Sequence, residues 1–208
     1  MRERPPLRLH IGSGPVRIPG WTNVDNQKYP GVDKVLDVRK GLPWKRGEAE
    51  LVFAEHFIEH LSYRDGVRFL KECRRILAPE GILRLSTPNL DWVWHTQYHP
   101  GQWSADTEAV RDCFWMNKAF RGWGHQFLYN LPSLHLTLRA AGFAEVATTR
   151  YGESAHEALR GLEHHEQYID TPELPHVIVV EATGEADPAT DAALATAIAD
   201  YEQAIGVV

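Results

Sequence analysis

Short apolar runs, each bounded by glycine, proline or an acid, recur through the first half of the chain. Leu7–Ile11, Thr22–Asp25, Lys34–Asp37 and Leu51–Ala54 have the length and content of strands. A helical period replaces them from about Arg64 to Leu77. Val67, Leu70 and Leu77 form its stripe with Phe69 and Ile76 beside it, and Pro79 and Gly81 close it off. Ile82–Ser86 predicts a fifth strand, Pro132–Ala141 a helix stopped by Gly142, and Ala144–Thr149 and His176–Ala182 the last two strands. An Ala-rich stretch, 187–205, opens on Asp187-Pro188 and predicts a C-terminal helix. Strands alternating with helices imply a doubly wound α/β fold: a mostly parallel, seven-stranded sheet covered on both faces. With no repeat and no linker, 1–208 reads as a single domain.

One segment breaks the pattern. Residues 89–126 hold Trp92, Trp94, Trp103, Trp115 and Trp123 with His95, His99 and His125, and show no clean period. An aromatic-rich insert after the fifth strand is expected to form a lid over a ligand site, with a core layer as the alternative.

Composition narrows the function. The 208 residues are 43% hydrophobic, enough for a sizeable core, and no run of about 18 apolar residues predicts a membrane span. The start lacks the apolar stretch of a signal peptide, and Cys73 and Cys113 suit a reducing compartment better than a disulfide framework, so a cytoplasmic location is expected. A net charge of −6 without a basic run argues against nucleic acid.

The chemistry concentrates at the first strand ends. Leu9-His10-Ile11-Gly12-Ser13-Gly14 is an apolar strand entering a Gly-x-Gly turn, and Trp21-Thr22-Asn23-Val24-Asp25 is a second strand ending in an acid. Glycines let the backbone approach a ligand closely, and an acid there can take both hydroxyls of a ribose. Gly14 and Asp25 are only eleven positions apart, too close for a helix whose N-terminus would cradle a pyrophosphate, which argues against NAD or FAD.

These pieces resemble a class I S-adenosylmethionine (SAM)-dependent methyltransferase, in particular small bacterial type 11-like members often encoded beside glycosyltransferases. Besides the two stretches above, the resemblance rests on Val35-Leu36-Asp37-Val38-Arg39-Lys40-Gly41-Leu42-Pro43, on Glu55-His56-Phe57-Ile58-Glu59-His60-Leu61, and on Arg74 through Pro88; Gly124-His125-Gln126-Phe127 through Phe143 matches fairly. It implies a Rossmann-like methyltransferase fold with a shortened first helix and SAM as cofactor, giving S-adenosylhomocysteine. His10, where many relatives carry an acid, and Val16, where a third glycine is usual, depart from it.

On that resemblance Gly12, Ser13 and Gly14 form the cofactor loop, Asp25 holds the ribose, Asp37 accepts from the adenine amino group and Val38 lies against the ring. Glu55 and His56 border the methionine moiety. Arg17 either pairs with the cofactor carboxylate or faces water. Trp92, Trp94, His95, Tyr129 and Tyr151 are expected around an acceptor, which aromatic faces would suit whether it is a sugar or an aromatic molecule. His125 is the candidate catalytic base, histidine being the residue type that titrates near neutrality; holding the lid by hydrogen bonds is its alternative role.

His56-Phe57-Ile58-Glu59-His60 also matches the H-x-x-E-H metalloprotease pattern, which needs both histidines on one helix face and a further ligand. Directly after a buried strand, Glu59 and His60 read instead as a packing and polar network. His95 with His99, and Glu163 with His164 and His165, have metal-like spacing without a third placed ligand, so no metal is expected.

The expected reaction is methyl transfer to an oxygen, less readily a nitrogen, of a small molecule or a sugar or polysaccharide, by a chain able to form a homodimer. A catalytically silent SAM-binding partner or scaffold is the alternative. An aminopropyl transferase or nicotinamide enzyme on the same fold is the other rival.

Overall fold

A computed structural model of the chain describes residues 6–165, 171, 173–186, 196, 198–201 and 203–204. Strands β1 (Leu7–Ile11), β2 (Thr22–Asp25), β3 (Lys34–Val35), β4 (Ala49–Glu55), β5 (Leu77–Pro88), β6 (Glu145–Thr149) and β7 (Val177–Thr183) form one sheet, ordered β3-β2-β1-β4-β5-β7-β6. β1 to β5 pair in parallel, and β7 runs antiparallel to both β5 and β6. The doubly wound, mostly parallel arrangement expected from the sequence is therefore the one found, and no helix separates β1 from β2.

Strand alternation puts Val52 and Ala54 of β4 into the larger core, with Leu9, Ile11, Leu83 and Leu85. Leu51 and Phe53 face the other side and pack with Ile18, Trp21 and Leu159. Helices α1 (Tyr63–Ile76) and α4 (Leu131–Ala140) cover the larger core through Val67, Leu70, Ile76, Leu134 and Leu138. Ser62 caps α1 by accepting the Asp65 backbone N–H, with Asp65 in the first turn and Arg74 and Arg75 in the last, each charge opposite in sign to its helix end.

Pro79 and Gly81 do not simply close α1. They lie inside β5, where Leu77 pairs with Ala49 and Ile82 with Leu51, so extra residues bulge out on one strand. Pro79 and Glu80 are exposed there, and Gly81 is buried where a Cβ would sit 3.0 Å from the Glu50 carbonyl oxygen. The third strand is shorter than expected, because Asp37 caps a 3-10 turn over Val38–Lys40.

The segment after β5 is more regular than its sequence suggests. It folds into α2 (Leu90–Gln97) and α3 (Asp106–Arg121), followed by a 3-10 turn at Gly122–Gly124. The buried residue of α3 is Asp112, while Val110, Phe114, Trp115 and Phe120 are exposed, so no apolar stripe betrays the helix. In the C-terminal stretch 196, 198–201 and 203–204 belong to a helix, and the remainder of 187–205 lies outside the described residues.

Candidate active site

The C-terminal ends of β1, β2 and β4 and the turn after β3 meet in a cleft of about 180 Å³, lined by Gly12, Asp25, Asn26, Asp37, Val38, Arg39, Phe57, His60 and Gln126 among others. Strand ends in an open parallel sheet are where ligands of this architecture bind. A second cleft of about 220 Å³, along Arg64, Arg68, Lys71 and Ile198, shares none of these residues.

The glycine loop is built for close approach. Gly12 and Gly14 have φ of +69° and +51°, in the left-handed region that L side chains rarely adopt. Asp25 closes the loop from β2. One carboxylate oxygen accepts the Gly14 N–H at 2.8 Å and the other the Gln27 N–H at 2.9 Å. Each oxygen keeps a further lone pair for a ligand hydroxyl. Asp37 is held by Arg39, whose guanidinium donates to both of its oxygens at 2.9 Å, and this contact keeps the Asp37 carboxyl below the ordinary range.

His10 stands inside the sheet rather than in the cleft lining. It stacks on Phe53 at 5.3 Å and lies 3.2 Å from the Asn23 amide oxygen, and burial lowers its pKa, favouring the neutral ring. Asn23 in turn ties Ile18 and Trp21 to Asp33, bracing the short connection between β1 and β2.

Several expected cofactor contacts lie elsewhere. Ser13 is buried under the loop, with its N–H given to the Val24 carbonyl. Arg17 is exposed, its stem packed against Gly31, and is absent from the cleft lining. The Glu55 carboxylate is turned to the distant 164–165 segment, accepting the His164 and His165 backbone N–H groups at 2.9–3.0 Å and facing the His165 ring at 3.3 Å. Burial opposes its charge, yet these contacts hold the carboxyl below the ordinary range, and they raise the His165 pKa in return. Arg84, fully buried between Glu163 and Glu181 at 2.7 and 2.6 Å, fixes the start of that segment on the sheet. His56 has φ +45°, and its ring lies tilted against that of His165 at 4.4 Å, outside the cleft lining.

The acceptor-side residues divide in the same way. His125 is half-buried beside the cleft, its ring 5.1 Å from that of His60. Its Nδ1 lies 2.8 Å from the Ala119 carbonyl oxygen, which can only accept, so Nδ1 carries the proton and Nε2 presents a lone pair. The Glu59 carbonyl accepts the Gln126 and Phe127 N–H groups, and the Gln126 side chain donates to the His60 carbonyl, which sews the 124–127 segment onto the 3-10 turn that follows β4.

Trp94 and His95 are exposed on α2, and Trp92 packs edge-on against His176 at 4.5 Å. Tyr129 is fully buried between Tyr63 and Phe127, and burial pushes its phenol well above its usual pKa. Its hydroxyl is thus not presented to the cleft. Tyr151 donates to the His165 carbonyl, near Glu55. Neither tryptophan, His95, Tyr129 nor Tyr151 lines the cleft.

The H-x-x-E-H segment is a 3-10 turn over Ile58–His60 and not an α-helix, so the metalloprotease geometry does not form. Phe57 and Gln126 line the cleft without having stood out in the sequence, and His60, expected in a packing network, lines it too.

Residues 19–85 match the family model of the methyltransferase domain. No curated protein matches the chain in sequence. The fold is similar to a SAM-dependent methyltransferase of Thermotoga maritima, a possible histamine N-methyltransferase, at 18% identity and TM-score 0.53, covering 86% of this chain and 82% of that one. A SAM-dependent methyltransferase of Archaeoglobus fulgidus is similar at 16% identity and TM-score 0.50, covering 85% of each chain. The carbon methyltransferase CurJ is similar at 16% identity and TM-score 0.51, covering 89% of this chain and 50% of that one.

Proposed function

We propose that this chain, a class I SAM-dependent methyltransferase by family match and fold, transfers the SAM methyl group to an oxygen of a small-molecule or sugar acceptor. The observation that carries the choice of oxygen is the His125 ring, which lies just outside the cleft lining beside His60 and Gln126 and is pinned through Nδ1, leaving Nε2 as its accepting nitrogen. A hydroxyl becomes a good nucleophile only as its proton leaves, and a fixed imidazole lone pair is suited to receive it. An amine that is already neutral needs no such group.

The residues present fit SAM. Gly12 lines the cleft with the Phe57 ring packed on it, Gly14 beside it is open on its Cβ side, and Asp25 keeps lone pairs for the ribose hydroxyls. Val38 offers an apolar wall for the adenine, and Asp37, with Arg39 on one side, accepts from its amino group. SAM supplies a methyl on a sulfonium that is already a leaving group, so no covalent intermediate on the protein is required. The protein contributes position: the strand ends hold the donor, and the 124–127 segment presents His125 to the acceptor.

Residues 89–126 cover the acceptor in this reading. Support comes from the aromatic side chains that α3 and its following turn leave exposed, above all Phe114 at 72% and Trp123 at 67%. The similar structures include proteins named for nitrogen and carbon acceptors, so the fold leaves the acceptor atom to the site. Calorimetry with SAM followed by mass-spectrometric methylation of hydroxyl acceptors tests the proposal. Turnover on nitrogen or carbon acceptors alone would overturn the oxygen reading, and SAM binding without turnover on any acceptor would leave a binding protein instead.

A further inference from the structure

We propose that Glu59, His60 and His125 hold a divalent transition-metal ion at the edge of the cleft, where it binds the acceptor hydroxyl. The role rests on the oxygen-acceptor reading above; the site itself does not. One ligand atom from each residue lies within 4.8 Å of the other two. Ligands about 2.0–2.2 Å from a common ion stand roughly 3–3.5 Å apart, so small rotations of the two imidazoles close the site.

Three observations point to an ion. Glu59 is fully buried, and its carboxylate is met by the Thr87 hydroxyl at 3.0 Å and by His56 Nδ1 at 3.3 Å, with no lysine or arginine paired to it among the described residues. Buried charges are paired with an opposite charge or bound to a metal. His125 gives its Nδ1 proton to a backbone carbonyl, which is how a ligating histidine is usually oriented, with its other nitrogen toward the ion. His60 lines the cofactor cleft, so the site opens toward the space where an acceptor must lie.

Two imidazoles and one carboxylate suit zinc, iron, cobalt or manganese better than magnesium or calcium, which prefer oxygen throughout. This departs from the sequence expectation that no metal is held. With the ion in place, the part given above to the free His125 Nε2 passes to the metal: the nitrogen is a ligand, and the ion lowers the pKa of the acceptor hydroxyl in its stead. The hydroxyl oxygen binds at an open position through a lone pair, its O–H bond weakens, and the proton leaves to solvent water.

The test uses the full chain stripped with a chelator and titrated with Co²⁺, read by visible absorption and by calorimetry. One equivalent should bind, at least about 10-fold more weakly in His125→Ala and in His60→Ala, both checked for folding by circular dichroism. His125→Asp, which returns a carboxylate ligand, should regain binding. No binding, or equal binding by wild type and His125→Ala, overturns the site whatever the turnover. Binding that depends on His125, with no hydroxyl acceptor methylated, supports the site and removes the oxygen reading on which its role rests.

Discussion

The ring of Phe57 lies over Gly12 so closely that a Cβ at Gly12 would fall 2.3 Å from Phe57 Cδ2. The glycine turn after β1 and the turn after β4 are thereby packed into one floor for the cleft. Glycine is required at position 12 twice over, by its φ of +69° and by this contact. Gly12→Ala should lower stability by about 1–3 kcal/mol and weaken SAM binding. In Gly12→Ala/Phe57→Ala the clash is gone and the backbone strain stays, so the two changes should be strongly non-additive. Thermal melts of the three variants decide this, and additive losses would mean the ring is free to move aside.

Asp25→Ala should weaken SAM binding by about 1.5–3 kcal/mol, roughly 10- to 150-fold. The variant loses both the proposed ribose contact and the clamp on Gly14. Calorimetry is the measurement, and an unchanged affinity would remove Asp25 from the cofactor site.

His125→Ala should lower turnover by about 10²–10⁴-fold while the protein stays folded. His125→Asn should not restore it, since an amide can mimic the hydrogen bond to Ala119 but not supply the imidazole lone pair. Near-normal turnover in the Asn variant would reduce His125 to a clasp for the segment behind it.

Asp112 anchors the α3 end of the insert. Its carboxylate accepts from the Trp103 indole at 2.9 Å and from the His99 backbone N–H at 3.0 Å, and it faces the His99 ring. The Trp103 hydrogen bond leads in lowering its pKa from 3.8 to about 2. A depressed carboxylate pKa stabilises fully above the unfolded value and loses that contribution as pH falls through the folded one. The insert should therefore loosen between about pH 4 and pH 2, visible as a change in tryptophan fluorescence that Asp112→Asn abolishes. The same titration in that variant would place the acid transition elsewhere.

Trp94→Ala should leave the fold and SAM affinity nearly unchanged while lowering acceptor use, because Trp94 is 55% exposed on α2. Trp92→Ala should cost more stability, since that ring packs against His176. Equal unfolding in both variants would argue that the insert is a core layer.

The sequence by itself determined the sheet and the place of its cleft. Leu9, Ile11, Val52 and Leu85 alternate or run in apolar stretches because strands buried on both faces demand it, Gly12 and Gly14 stand after β1 because their positive φ favours glycine, and Asp25 ends β2 where its carboxylate takes the Gly14 N–H. Such demands are local, so they are legible along the chain. Tertiary structure alone decided the rest. Whether Glu55 faces a cofactor or the backbone of His164 depends on a segment 109 residues away, brought over by Arg84. The two helices of the insert could not be read because α3 turns no apolar stripe to a core and α2 buries Val93 alone, and periodicity records only the face that is buried. His60 and His125 meet because the chain returns from α3 to the end of β4, a contact across 65 positions that no spacing rule encodes.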